Sequence, residues 1–233
     1  MLKFIGTGSA FNTELGNNSA YYKWEDKIII IDCGSSVFHR IVESNLLEGV
    51  NEIHVIVTHS HADHVGSLAD LVLYSYFSHG KLAEKIITIY SPLDTRVAEL
   101  LEINGCVEGI HYNYEEDAFY EDFAVSFVDS IHVEEIQSYS VHLYMDNKEF
   151  YYSSDVAILP QYAIKWINDG RFAHAYVDTC GLDYEGNVHL SYRKLCEYIK
   201  PESRHLVTCM HLDKAFNKEQ AIRDGFNVAE VEL

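Results

Sequence analysis

The chain has 233 residues, 48% hydrophobic and 23% charged, enough to bury a substantial core within one soluble domain. Seventeen basic residues stand against thirty-six acidic ones, a formal charge of −19. That balance disfavours large nucleic acids, which are gripped by Lys/Arg patches. The five cysteines are scattered without paired spacing, there is no signal-like start, and apolar runs are strand-sized, so a reduced, cytoplasmic protein with no membrane partner is expected.

In chain order, Met1–Ile5 reads as a strand broken by Gly6-Thr7-Gly8-Ser9, which lacks the third glycine and following helix of a nucleotide loop. Ser19–Trp24 and Lys27–Ile31 predict a hairpin around Glu25-Asp26. Asp32-Cys33-Gly34 closes it, and Ser35 or Ser36 is placed to cap a helix carrying Val37, Ile41 and Leu46. The strand Glu52–Thr58 then runs into His59-Ser60-His61-Ala62-Asp63-His64. His59 and His61, two apart in an extended loop, can point the same way, while Asp63 and His64 fall where the next helix begins. Imidazole and carboxylate in such a knot suit zinc, or manganese or iron.

Val65–Tyr76 reads as helical with Gly80 placed to end it, Lys85–Tyr90 as a strand, and Thr95–Ile103 as a helix stopped by Gly105. The acidic, tyrosine-rich stretch 107–122 has no firm period, and part of it is expected to loop over the site. Phe123–Asp129 alternates as a strand leading to His132, and Tyr139–Tyr144 with Glu149–Tyr152 forms a hairpin around Asp146-Asn147. His132 at a strand end is a better ligand candidate than His142 in mid-strand. Tyr152 leads to a strand-end carboxylate, Asp155. A helix over Gln161–Asn168 and a strand over Ala173–Val177 follow, the strand reaching Asp178-Thr179-Cys180-Gly181, to which no role is assigned. His189-Leu190-Ser191 opens a helix over Tyr192–Ile199, and His205–Thr208 is a strand ending in Cys209-Met210-His211. Asn217–Arg223 is helical and Val228–Val231 a closing strand, so the chain alternates as an α/β protein.

The string His59 to His64 resembles the signature of the metallo-β-lactamase-fold hydrolases, and the likeness runs from Phe4–Ser9 to Cys209–His211. Within that superfamily it is most similar to the branch of tRNase Z and the cyclic phosphodiesterases of phosphonate breakdown. The resemblance implies an αββα four-layer sandwich, two mixed sheets flanked by helices, with residues 1–233 as a single domain. It implies a centre of two divalent metal ions, zinc first and manganese or iron as alternatives. His59, His61 and His132 would hold one ion, Asp63, His64 and His211 the other, and Asp155 would bridge them. Asp63 thereby also serves catalysis, beside a hydroxide shared by the ions. Asp32 is either a solvated strand-end acid or, as the resemblance suggests, a carboxylate that orients a liganding histidine. His189 would be the general acid, and Cys180 and Cys209 packing residues.

These readings lead to a phosphodiesterase for small or cyclic phosphoesters, with a homodimer as the candidate assembly. A tRNase Z-like nuclease is the alternative, although the basic, glycine-rich arm that grips tRNA in those enzymes is missing from this sequence. Lactonase, thioesterase or β-lactamase chemistry, and a non-catalytic metal-binding module, are further alternatives. Structural zinc normally has a closed ligand shell, which weighs against the last.

Overall fold

Ile28 to Ile31 are all fully buried, so β3 (Lys27–Ile31) has no solvent face, the pattern of an interior strand. The computed structural model describes residues 1–80 and 86–233. The chain forms two compact units, residues 1–117 with 230–233, and residues 118–229.

In the first unit, β3 sits within a six-stranded sheet with β1 (Lys3–Gly6), β2 (Ser19–Trp24), β4 (Glu52–Ile56), β5 (Ile87–Tyr90) and β6 (Asn113–Glu115), in chain order across the sheet. The β1–β2 and β2–β3 pairs are antiparallel, and β3 through β6 are parallel. Hence β1, β3, β4 and β5 all run the same way and end on one rim. Helices α1 (Val37–Glu43), α2 (Ala62–Val65), α3 (Leu68–Tyr74) and α4 (Val97–Ile103) flank it. Val37, Ile41, Leu68, Leu71 and Leu101 share one apolar core with Ile28, Ile30, Ile53 and Val55. Burial of that kind contributes about 1.5–3 kcal/mol per large side chain. The chain end returns to the β1 edge: Val231 bridges Phe4, the Glu232 N–H donates to the Phe4 carbonyl, and the Tyr21 hydroxyl donates to the Glu232 carbonyl.

The second unit holds a seven-stranded sheet of β7 (Ala118–Phe119), β8 (Phe123–Ser130), β9 (Ser138–Met145), β10 (Lys148–Tyr152), β11 (His174–Asp178), β12 (Val207–Met210) and β13 (Asn227–Val228), again in chain order. Pairing is antiparallel from β7 to β10 and parallel from β10 to β13. Thus β8, β10, β11 and β12 point the same way. Asp146 and Asn147 both take left-handed backbone (φ 52° and 57°), the conformation a two-residue hairpin needs. Helices α5 (Gln161–Asn168), α6 (Tyr192–Tyr198) and α7 (Lys218–Arg223) complete the unit. The Ser191 hydroxyl accepts the Lys194 N–H, and the Asn217 side chain accepts the Gln220 N–H, capping α6 and α7.

Two mixed sheets with helices meet the α/β expectation. Some element expectations change. The single helix expected over Val65–Tyr76 is interrupted at Gly66-Ser67, where the Ser67 N–H and hydroxyl donate to the carbonyls of Cys33 and Gly34. A π-helical turn, Ser75–His79, then extends α3 to Gly80. Stretch 107–122 supplies the two edge strands β6 and β7. Ser36 precedes α1 without capping it through its side chain; its hydroxyl accepts the Asn17 N–H instead. The strand expected from His205 begins at Val207, because Pro201–Leu206 winds into a 3-10 helix. The expected strand start at Lys85 lies outside the described residues. Among the described residues, no helix is long and apolar enough to cross a membrane.

Candidate metal centre

In the first unit, the rim at the ends of β3 and β4 carries the first set of ligand candidates. Asp32, directly after β3, is fully buried with φ 63°, a strained conformation for a residue other than glycine. It accepts the Thr58 N–H at 2.9 Å and the Thr58 hydroxyl at 3.0 and 3.1 Å, and its Oδ2 lies 2.8 Å from His64 Nδ1. A carboxylate only accepts, so His64 Nδ1 carries the proton and Nε2 the lone pair. The orienting role considered for Asp32 is therefore the geometry present. The Thr58 hydroxyl, already donating to Asp32, accepts from His59 Nδ1 at 3.1 Å, which puts the His59 lone pair on Nε2.

Two pairs of donor atoms result. His59 Nε2 faces His61 Nδ1 at 3.0 Å, and His64 Nε2 faces Asp63 Oδ2 at 3.4 Å. Lone pairs set side by side repel unless a proton or a cation lies among them, and imidazole with carboxylate is the donor chemistry of zinc and its neighbours. Residues 33–36 hold this motif in place: the Cys33 N–H donates to the His64 carbonyl at 2.7 Å, and the Ser35 hydroxyl to the Ala62 carbonyl at 3.2 Å. Gly34 packs so tightly that a Cβ there would stand 1.9 Å from the Asp63 carbonyl oxygen.

In the second unit, β8, β10, β11 and β12 deliver His132, Asp155, Asp178 and His211 to one rim. His132 Nδ1 donates to the Val188 carbonyl at 3.0 Å, so its lone pair is on Nε2, 3.7 Å from Asp155 Oδ2. The other Asp155 oxygen lies 3.4 Å from His211 Nε2. One buried carboxylate thus presents a different oxygen to each of two histidines. Behind it, Asp178 accepts from His189 Nδ1 at 2.8 Å and from the Val156 N–H at 3.0 Å through Oδ2, while Oδ1 stands 3.3 Å from His211 Nδ1. Asp155, Asp178, His189 and His211 each offer a ligand atom, all within 4.8 Å of one another. Burial alone would lower the His189 imidazole, but the Asp178 charge and hydrogen bond outweigh it and raise its pKa. For Asp178, burial pushes upward and the His189 and His211 partners hold it below the usual carboxylate range. Ser154 and His211 take left-handed backbone (φ 54° and 55°), so strain gathers where the donors emerge.

His59, His61, Asp63 and His64 come together in the first unit, and His132, Asp155, His189 and His211 in the second. In both, the imidazole and carboxylate donors other than His189, which is hydrogen-bonded to Asp178, fit a divalent ion. Sequence reasoning missed Asp178 and the pair that sets the His189 loop: the Asn187 side chain accepts the His189 N–H at 3.0 Å, and Asp213 accepts the Gly181 N–H at 2.8 Å and the Cys180 thiol at 3.2 Å. The available signal for Asp178 was its position, an acid ending a strand between those that end in Asp155 and His211. His142 lies mid-strand on β9, bonded to Glu149 at 3.0 Å and Tyr162 at 3.1 Å, away from this donor set. Burial pushes the Cys180 thiol up to about 11 and that of Cys209 up to about 12, which suits packing rather than thiolate chemistry.

Residues 1–229 match the family model described as Anti-Pycsar protein Apyc1. The Apyc1 protein of Bacillus phage 010DV004 is 31% identical over 241 residues, covering 90% of this chain and 88% of the relative. That of Bacillus phage BSP38 is 30% identical over 236 residues, with the same coverage. Among solved structures, a diphosphatase of the PhnP family aligns with a TM-score of 0.74 at 17% identity, covering 100% of this chain and 95% of its own. Human short-form tRNase Z aligns at 0.71 and 16%, covering 99% and 96%. The metallo-β-lactamase fold protein YhfI from Bacillus subtilis aligns at 0.70 and 14%, covering 100% and 97%. The chain has the metallo-β-lactamase fold and belongs to the Anti-Pycsar Apyc1 family.

Proposed function

We propose that this chain is a metal-dependent phosphodiesterase for small or cyclic phosphoesters, with residues 1–233 working as one hydrolase domain. The observation that carries the reading is the Asp178–His189 pair set beside the Asp155–His211 donors. His59, His61 and His132 are assigned to one divalent ion, Asp63, His64 and His211 to a second, and Asp155 to both. Zinc suits this donor set, as do manganese and iron. When bound, such ions supply Lewis-acid polarisation of a phosphoryl oxygen and activation of water.

The chain's own residues supply the rest. Asp32 and the Val188 carbonyl hold the His64 and His132 rings through Nδ1, so that each would bind its assigned ion through the Nε2 lone pair. Asp178 holds the His189 Nδ1 proton, so protonated His189 carries its transferable proton on Nε2. That proton goes to the departing alkoxide oxygen, a contribution of roughly 10²–10⁴-fold to the rate. The Asp178 charge and hydrogen bond raise the His189 pKa, which favours the protonated, acid form. The charge of −19 favours a small substrate over a polyanion. The family's name, Anti-Pycsar, makes a role against Pycsar part of this proposal.

A substrate panel tests it. Cyclic nucleotides, linear phosphodiesters, a lactone, a thioester, a β-lactam and precursor tRNA are assayed with zinc and with manganese. Turnover concentrated on the cyclic or small phosphodiesters is expected. Dominant cleavage of precursor tRNA moves the assignment to a nuclease, and dominant lactone, thioester or lactam turnover removes the phosphodiesterase reading.

A further inference from the structure

The loop 7–18 joins β1 to β2 and leaves the first sheet on the rim where Asp32 and His59 stand, because β1, β3 and β4 run the same way. Its base is fastened to that rim. The Asn17 N–H donates to the Ser36 hydroxyl at 2.8 Å, the Ser36 N–H to the Asn17 side chain at 2.9 Å, and the Ser19 hydroxyl to the Asp32 carbonyl at 2.8 Å. The loop is also bonded within itself. The Gly8 N–H donates to the Gly16 carbonyl, Asn18 to Gly8, Asn12 to Ser9 and Leu15 to Asn12, at 2.8 to 3.2 Å. Below it the Arg40 guanidinium donates to the Ile5 and Leu15 carbonyls at 2.9 and 3.0 Å.

So ordered a loop could bury its apolar residues, and it does not bury the one at its tip. Asn12 is 6% exposed, whereas its neighbour Phe11 is 90% exposed, the highest value among the large hydrophobic side chains of the described residues. Phe11 is three steps along the chain from Gly8 of the Gly8–Asn17 bridge, so its Cα lies within about 10 Å of it. The same Asn17 stands against Gly34, which packs on Asp63. A stiff loop therefore holds an aromatic ring in solvent, on the rim of the first sheet that carries the histidine motif. Ring faces of this kind stack on nucleobases with little preference among them.

We propose that Phe11 is a specificity-determining residue that stacks on an aromatic base of the substrate. The assignment rests on the phosphodiesterase reading. Wild type, Phe11→Ala and Phe11→Trp are compared on a cyclic nucleotide and on the corresponding base-free cyclic sugar phosphate, with solution mass measured in parallel. Phe11→Ala is expected to raise KM for the cyclic nucleotide roughly 5- to 100-fold with kcat within about twofold, and to leave the base-free substrate unchanged. Phe11→Trp keeps the wild-type KM. Equal losses on both substrates, no loss on either, or a changed solution mass without base dependence overturns the assignment and leaves the phosphodiesterase reading standing. Wild type that turns over neither substrate overturns both.

Discussion

The Asp178 carboxylate accepts the His189 Nδ1 proton at 2.8 Å with one oxygen and stands 3.3 Å from His211 Nδ1 with the other. One buried acid is thereby shared between the proposed general acid and a proposed metal ligand. Asp178→Asn puts an amide N–H against one of these rings. Turnover of a substrate with an alkoxide leaving group is expected to fall roughly 10²–10³-fold, within the range for a lost general acid. Metal affinity, followed by competition with a chelator, falls on the order of 10-fold, as for loss of a carboxylate behind a ligand histidine. Wild-type turnover in the variant contradicts this role.

Asp155 sets Oδ2 3.7 Å from His132 Nε2 and Oδ1 3.4 Å from His211 Nε2. If one carboxylate serves two ions, Asp155→Ala loses more than a single-ion ligand would. Elemental analysis of purified wild type is expected to show about two divalent ions per chain, and Asp155→Ala to lose at least one together with most activity. His142→Ala, in mid-strand on β9 and bonded to Glu149 and Tyr162, keeps the wild-type content. A wild type saturated by one ion, with Asp155→Ala unaffected, contradicts the shared role.

Gly34 is required for a packing reason. Its Cβ would stand 1.9 Å from the Asp63 carbonyl oxygen and 2.8 Å from Asn17 Cβ. Gly34→Ala must push these backbones apart, at a loss of about 2–4 kcal/mol in urea unfolding, toward the upper end for overpacking. Metal content is expected to fall with it, since Asp63 and His64 move. Unchanged stability contradicts the close approach.

His174 on β11 is buried, and burial is the first cause holding its imidazole down to about 4. Its Nε2 lies 2.7 Å from the Thr208 hydroxyl. The unfolded chain takes up this proton near pH 6.5, whereas the folded chain does so only near 4. Stability is therefore full above about pH 6.5 and falls as pH drops toward 4, by roughly 1.4 kcal/mol per pH unit from this residue. Urea midpoints at pH 7 and pH 5 are expected to differ less in His174→Gln than in wild type. An identical pH dependence in the two proteins contradicts it.

The hairpin Ser19–Trp24 with Lys27–Ile31 and the helix Gln161–Asn168 are legible to the residue, because each has its own period and its own turn. The ligand string His59 to His64 is legible for a different reason: its donors are neighbours along the chain. Asp178 is not, since its partners lie on other strands and only the parallel order β10–β11–β12 sets it between Asp155 and His211. Strands β6 and β7, of three and two residues, have too short a pattern to announce themselves and exist through pairing with β5 and β8. The break at Gly66-Ser67 likewise depends on carbonyls thirty-odd residues upstream, at Cys33 and Gly34.

The most direct measurement is the effect of His189→Ala on two phosphodiesters that differ only in the leaving group. His189 is outside both proposed ligand sets, so elemental analysis of the variant should match wild type. With an alkoxide leaving group, turnover is expected to fall roughly 10²–10⁴-fold, and with nitrophenolate, which departs without a proton, far less. Equal losses on the two substrates, or no loss on either, would contradict His189 as the acid of a phosphodiesterase.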